Sequence, residues 1–265
     1  MSAMTIKHSA QTPQTLHVAS YNIHKGLSQF SQRVVVHELR TQLHELDADI
    51  VFLQEVQGLN QRHALRHDNW PGSPQHEFLA AEVWHNSAYG RNAVYEHGHH
   101  GNAILSRFPI IAAQNQDVTH LRFERRGLLH CVIEVPGLAR PLHCVCVHLS
   151  LFGRSRRRQL DALASRLESL VPADAPLMIA GDFNDWRNRA HDLLAERLDM
   201  VEVFAGMVGR PTRSFPSALP VLRLDRIYIR GFAVASAQVH FGPPWSGISD
   251  HAALSAHLRP LTTQP

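Results

Sequence analysis

Cysteine is scarce in this chain: three residues among 265, at Cys131, Cys144 and Cys146. An odd number at that spacing excludes a disulfide framework and does not match the ligand pattern of a structural zinc site. Cys144 and Cys146 lie two apart in an apolar run, so a strand would point both to one face. Buried free thiols in a reducing compartment are the expectation. Charged residues make up 18% and aromatics 7%. The first figure is too low for a charge-driven disordered chain, and the second leaves no conspicuous base-stacking surface. No stretch approaches the ~20 apolar residues of a membrane span. Residues 1–15 hold one lysine and no apolar core of the length a signal peptide needs, so the expected location is cytoplasmic.

The remainder reads as an ordinary globular protein, 44% hydrophobic with a formal net charge of +3. That balance is compatible with a polyanionic partner without requiring one. Arginines cluster at residues 122–126 and 154–158, where a solvated surface is the simplest reading. Histidine is abundant, with 20 residues, and the run Glu96-His97-Gly98-His99-His100 has the look of a metal site.

From residue 16 onward, short apolar runs alternate with amphipathic stretches. Strands are expected at 16–20, 50–54, 102–106, 110–113, 128–135, 142–148, 177–180, 226–229, 233–240 and 253–257. Val36, Leu39, Leu43 and Leu46 recur at helical spacing, as do Leu160, Leu163, Leu167 and Leu170; a short helix is expected at 190–198. Many strands with interspersed helices imply an α/β or α+β layered domain. The expected organisation is a tail at 1–14, one domain over 15–260 and a short tail at 261–265.

Polar residues collect where these strands stop or start. Asn22 follows the first strand, Glu55 the second, and His148 ends the run 142–148. Asp182 and Asn184 follow 177–180 through Gly181, Asp225 opens the strand of Ile227 and Ile229, and Asp250-His251 precedes the last strand. Each alone is more simply read as a cap or turn former. Together they describe a cleft at one sheet edge. Carboxylates and amides without clustered cysteines suit a hard cation, Mg2+ or Mn2+, and histidines beside carboxylates suit proton transfer or stabilisation of growing negative charge. The combination points to metal-assisted hydrolysis of a phosphate ester.

In order along the chain run Ser20-Tyr21-Asn22-Ile23-His24, Leu53-Gln54-Glu55-Val56, Gly101-Asn102-Ala103-Ile104-Leu105-Ser106-Arg107, Val147-His148-Leu149, Gly181-Asp182-Phe183-Asn184, Leu224-Asp225-Arg226-Ile227 and Ser249-Asp250-His251. This series resembles the ordered motifs of the endonuclease/exonuclease/phosphatase superfamily over residues 16–258. The resemblance implies a four-layer α/β/β/α sandwich, two packed mixed sheets flanked by helices.

It also implies roles. Glu55 would be the principal metal ligand, with Asn22 beside it and Asp250 reaching the same ion. His251 would act on the attacking water with Asp225 orienting its ring, although the superfamily leaves open whether His251 or Asp182 takes the proton. Asp182 and Asn184 would position the water and a phosphate oxygen, and His148 would donate to the phosphoryl group. Asn102 would donate an amide hydrogen bond near the phosphate. Arg156, His24 and His100 are expected at the substrate, with a solvated helix face an equal reading for Arg156 and Gln159. His97 and His99 are expected in a loop at the cleft mouth.

The expected activity is a metal-dependent phosphodiesterase acting on a lipid-like or small substrate. Phe152, Trp186, Phe215 and Pro243-Pro244-Trp245 are candidates for an apolar rim or for core. The alternatives are a magnesium-dependent nuclease and a catalytically silent binding module. The expected partner is a phosphate ester; a nucleic acid or a phospholipid surface is compatible, and no protein partner is called for.

Overall fold

The computed structural model describes residues 15–28 and 33–261. The expected N-terminal tail, and residues 262–265 of the C-terminal one, lie outside them. The element order is β1 (Leu16–Asn22), α1 (Val36–Leu46), β2 (Ile50–Asn60), α2 (Gln61–Arg66), α3 (Gln75–Ala80), β3 (Asn86–Tyr95), β4 (Gly98–Ser106), β5 (Ile110–Asp117), β6 (Gly127–Ile133), β7 (Leu142–His148), α4 (Gly153–Leu170), β8 (Leu177–Asp182), α5 (Arg189–Leu198), β9 (Val201–Glu202), α6 (Val203–Val208), β10 (Asp225–Arg230), β11 (Phe232–His240) and β12 (Ala253–Pro260).

The strands form two six-stranded sheets, ordered β11-β12-β1-β2-β4-β3 and β5-β6-β7-β8-β10-β9. Period-two alternation sorts each strand's side chains between two faces. In β2, Ile50 and Phe52 enter the core between the sheets, together with Cys131, Cys144 and Cys146, whereas Val51 and Leu53 face α1 and α3. On the far side, Leu160, Leu163 and Leu167 of α4 and Leu194 of α5 cover the second sheet. The result is the expected α/β/β/α sandwich, and the three thiols are buried and free.

Topology gathers the polar strand ends at one edge. Each sheet has one parallel pair at its centre, β1 with β2 and β7 with β8. A parallel pair needs a crossover, supplied by α1 in the first sheet and α4 in the second. Both pairs therefore end on the same side, placing Asn22 and Glu55 beside His148 and Asp182. The flanking strands β4, β6, β10 and β12 run antiparallel to them and start at that side. His100, Arg126, Asp225 and His251 thus reach the edge from strand beginnings.

Two expectations change. Strand β3 was not foreseen, because its run Asn86-Ser87-Ala88-Tyr89-Gly90-Arg91-Asn92 is half-exposed and lies at a sheet edge, where no apolar alternation is demanded. Strand β4 begins at Gly98, so His99 is a strand residue and only His97 lies in the turn. The His99 ring meets the Tyr89 hydroxyl at 3.0 Å, tying β4 to β3.

Candidate active site

Glu55 owes its position to a break in strand pairing. The register between β2 and β4 shifts between Leu53 and Val56, and Glu55 takes a positive φ of 58°. A bulge re-aims one side chain out of the pleat. Leu53 and Val56 stay fully buried, while the carboxylate of Glu55 reaches the cleft, 3.5 Å from Lys25 Nζ. Burial opposes its charge, but His148, Lys25, His24 and His100 together pull its pKa down to about 2. His148 is itself driven well below its ordinary value by burial and Arg126.

Asp182 is the meeting point of the two sheets. Its Oδ2 accepts from Asn22 Nδ2 at 3.2 Å and lies 3.5 Å from His148 Nε2 and 3.8 Å from His251 Nε2. His148 and Asp182 are neighbours in register across the parallel pair β7 and β8. That close approach depends on Gly181, whose φ is 145° and whose added Cβ would fall 1.9 Å from the Val147 carbonyl oxygen. Burial and Asp225 push the Asp182 carboxyl above its usual range.

His251 Nδ1 and Asp225 Oδ2 are 2.9 Å apart, both residues buried. Burial alone would lower the imidazole's pKa, but Asp225, then Asp182 and Asp250, outweigh it and raise it. With Nδ1 committed to Asp225, Nε2 is the nitrogen that faces Asp182. The supports are specific. Ser214 Oγ accepts from Asp225 N at 3.1 Å, and Ser249 Oγ accepts from His251 N at 3.2 Å while donating to Asn22 O at 2.7 Å. Phe215 lies edge-on to the His251 ring, with centroids 5.1 Å apart.

Three residues expected at the substrate or phosphate give hydrogen bonds inside the fold. Asn102 is 1% exposed, and its Nδ2 donates to Gly127 O at 3.1 Å and Cys146 O at 3.2 Å, joining β4 to the opposite sheet. Arg156 does not lie on a solvated helix face. It is buried, donates to Ser150 O and Leu151 O, lies 3.8 Å from Asp185 and packs over the Trp186 ring. Asn184 gives its Nδ2 to Leu149 O at 2.9 Å, and its backbone N donates to Asp182 Oδ1. Trp245 is core, packed on Tyr21.

His100 does reach the cleft, which it shares with Lys25, Glu55, His148, Arg125 and Arg126, and burial lowers its pKa to about 4. His24 sits beside Asn22, its backbone N donating to Asn22 Oδ1 at 3.2 Å. Asp250 is half-buried next to His251. Motif reading passed over Arg126 and Glu124, which pair at 3.1 Å at the cleft wall; only their place in an arginine-rich stretch marked them.

The oxygen-rich donors suit a hard divalent cation. Donor atoms of Asp182, Asp225 and His251 all lie within 4.8 Å of one another, and Asp225 Oδ1 is buried with no hydrogen-bond partner. A buried carboxylate oxygen left without a donor calls for positive charge. Of the expected ligands, Asn22 touches Asp182 directly, while Glu55 and Asp250 lie outside this group.

The model of the Endonuclease/Exonuclease/phosphatase family matches residues 19–251. The chain belongs to this family. Members of the endonuclease/exonuclease/phosphatase family are typically hydrolases of phosphoester bonds and generally depend on a divalent metal. The uncharacterized protein YbhP of Escherichia coli (strain K12) is 44% identical over 249 residues, 94% of this chain and 98% of that protein. Among solved structures, the endonuclease/exonuclease/phosphatase from Bacteroides vulgatus is similar with a TM-score of 0.73 and 16% identity, covering 94% of this chain and 100% of that one. The endonuclease/exonuclease/phosphatase from Beutenbergia cavernae reaches a TM-score of 0.71 at 22% identity, over 93% and 72% of the two chains. D. rerio TDP2 complexed with single strand DNA product reaches 0.69 at 16% identity, over 92% and 99%. At these identities the likeness is one of fold. No helix among the described residues is long and apolar enough to cross a membrane.

Proposed function

We propose that this chain is a divalent-metal-dependent phosphodiesterase that cleaves a P–O bond by in-line attack of water. The observation that carries the reading is the convergence of His148, His251 and Asn22 on Asp182 at the mouth of two sheets, with Asp225 behind His251. Glu55, with Asn22 and Asp250, would hold the ion, which supplies Lewis-acid polarisation of the phosphoryl group when bound. Mg2+ or Mn2+ fits these donors.

The protein's own residues do the rest. The proton of the attacking water passes to the Asp182–His251 pair. Asp225 fixes the ring of His251 so that Nε2 faces the reaction. His148 donates to the phosphoryl oxygens as their charge grows, and Lys25 adds fixed positive charge at the same wall. His100 and His24 contact the substrate at the cleft entrance.

A second reading, a nuclease, is favoured by the exposed Arg125 in the cleft wall, which would meet a neighbouring phosphate of a strand. The experiment is purified protein with Mg2+ or Mn2+ against bis(p-nitrophenyl) phosphate, phosphomonoesters, phospholipids and plasmid DNA, beside His251→Ala and Glu55→Ala. Turnover of diesters that both substitutions abolish supports the reading. Cleavage of DNA with none of the small diesters would favour the nuclease, and no turnover of any ester would make the chain a binding module.

A further inference from the structure

Three large apolar side chains stand in solvent on the wall of the cleft that holds Glu55 and His148: Phe123, Leu151 and Phe152, at 78%, 54% and 51% exposure. The cleft measures about 470 Å³, and Arg125 and Arg126 line the same wall. Phe123 and Phe152 meet edge to face, with centroids 5.9 Å apart. Left to itself, a loop carrying such residues would fold them inward, because each gains by leaving water.

Buried polar side chains prevent that. Glu124, next to Phe123, accepts from Leu151 N at 3.0 Å and from the Ser150 hydroxyl, and pairs with Arg126. Arg156 donates to the carbonyl oxygens of Ser150 and Leu151 at 2.9 and 3.1 Å. Gln159 Oε1 accepts from Ser150 N at 2.8 Å, and Leu149 O accepts from Asn184 Nδ2 and Arg126 Nε. The backbone of residues 149–151 is pinned from several directions, and through Glu124 the Phe123 turn is pinned to it. Burying charged groups to rigidify a loop is costly. What that arrangement secures is an exposed apolar surface of fixed shape, which a ligand meets without ordering it first.

We infer that Phe123, Leu151 and Phe152 form a subsite for an apolar substituent, aryl or alkyl, carried on the phosphate of the substrate. The inference rests on the phosphodiesterase reading and specifies its substrate class. Arg125, exposed on the same wall, neutralises the phosphate while the apolar wall takes the organic group. Binding energy from that non-reacting part is then available to lower the barrier at phosphorus.

The test is steady-state hydrolysis, with Mg2+, of methyl, phenyl and octyl p-nitrophenyl phosphate by wild type and by the Phe123→Ala/Phe152→Ala double variant, whose folding is checked by its melting temperature. In wild type, kcat/KM for at least one apolar ester should exceed that for the methyl ester by roughly tenfold or more. In the variant that ratio should fall toward one. A phenyl preference alone assigns an aryl group, and an octyl preference alone an alkyl chain. A ratio near one in wild type, or one that survives in the variant, overturns the subsite. If the methyl ester and the others are all inert, the phosphodiesterase reading fails. Calorimetry then decides the subsite by itself: phenyl or octyl phosphate should bind more tightly than inorganic phosphate in wild type and equally in the variant.

Discussion

Asp182 and Asp225 are direct register partners across the antiparallel pair β8 and β10, at the last residue of one strand and the first of the other. Sheet pairing forces two buried carboxylates together, and the imidazole of His251 lies within reach of both, 2.9 Å from Asp225 and 3.8 Å from Asp182. Like charges side by side disfavour joint ionisation, and the His251 imidazole, whose pKa both carboxylates raise, relieves them.

If this trio moves the proton, Asp225→Asn should lower kcat by about 10³-fold, because an amide keeps the shape but cannot support charge on the ring. His251→Ala and Asp182→Ala should each cost at least ~10², and the double variant little more than the worse single one. Rates of all four variants on bis(p-nitrophenyl) phosphate decide this; additive losses would separate the two roles.

Chelation with EDTA should abolish turnover, and Mg2+ or Mn2+ should restore it. Metal should also raise the melting temperature of the wild type, since it binds the folded chain alone. In Glu55→Gln the Mg2+ concentration for half-maximal stabilisation should rise by about tenfold or more. The thermal titration reads metal binding independently of rate.

Gly181→Ala tests the close approach of β7 and β8. The new methyl would fall 1.9 Å from Val147 O at a φ of 145°, which a non-glycine residue rarely adopts. A loss of about 3 kcal/mol or more is expected, with a lower melting temperature and lower activity, since His148 and Asp182 depend on that register. Denaturant unfolding measures it.

Away from the cleft, His130 Nε2 and His143 Nδ1 share a 3.0 Å contact on the second sheet. Burial, then His143 and Arg166, lower the His130 pKa from 6.5 to about 4. Between those values the unfolded chain binds more protons than the folded one, so stability falls as pH drops from about 6.5 toward 4. His130→Gln should remove up to about 3 kcal/mol of that acid sensitivity. Comparing the slopes of unfolding free energy against pH between 4.5 and 7 separates this from any constant loss.

The helices at Leu39/Leu43 and Leu160/Leu163/Leu167 were legible because one face of each is buried against a sheet, and burial imposes helical spacing. The strand ends were legible because an apolar run that stops at Asn22, His148 or Asp182 marks where the core stops. β3 was not, since an edge strand with half-exposed faces carries no such imprint. Nor was the bulge at Glu55: the expected strand stopped at Gln54, whereas β2 runs on to Asn60 past a positive φ.

By itself, then, the sequence determined the layered architecture and the residue types gathered at strand ends, because local periodicity and chain order encode both. Which polar side chains face the cleft was decided by tertiary structure. Asn102, Asn184 and Arg156 have the chemistry of phosphate ligands, yet each gives a donor to a backbone carbonyl of the fold. Glu124 and Arg126, unremarkable in the chain, hold the wall that presents Phe123 and Phe152. A donor goes to whichever acceptor packing brings within reach, and for Asn102 and Asn184 that partner lies tens of residues away.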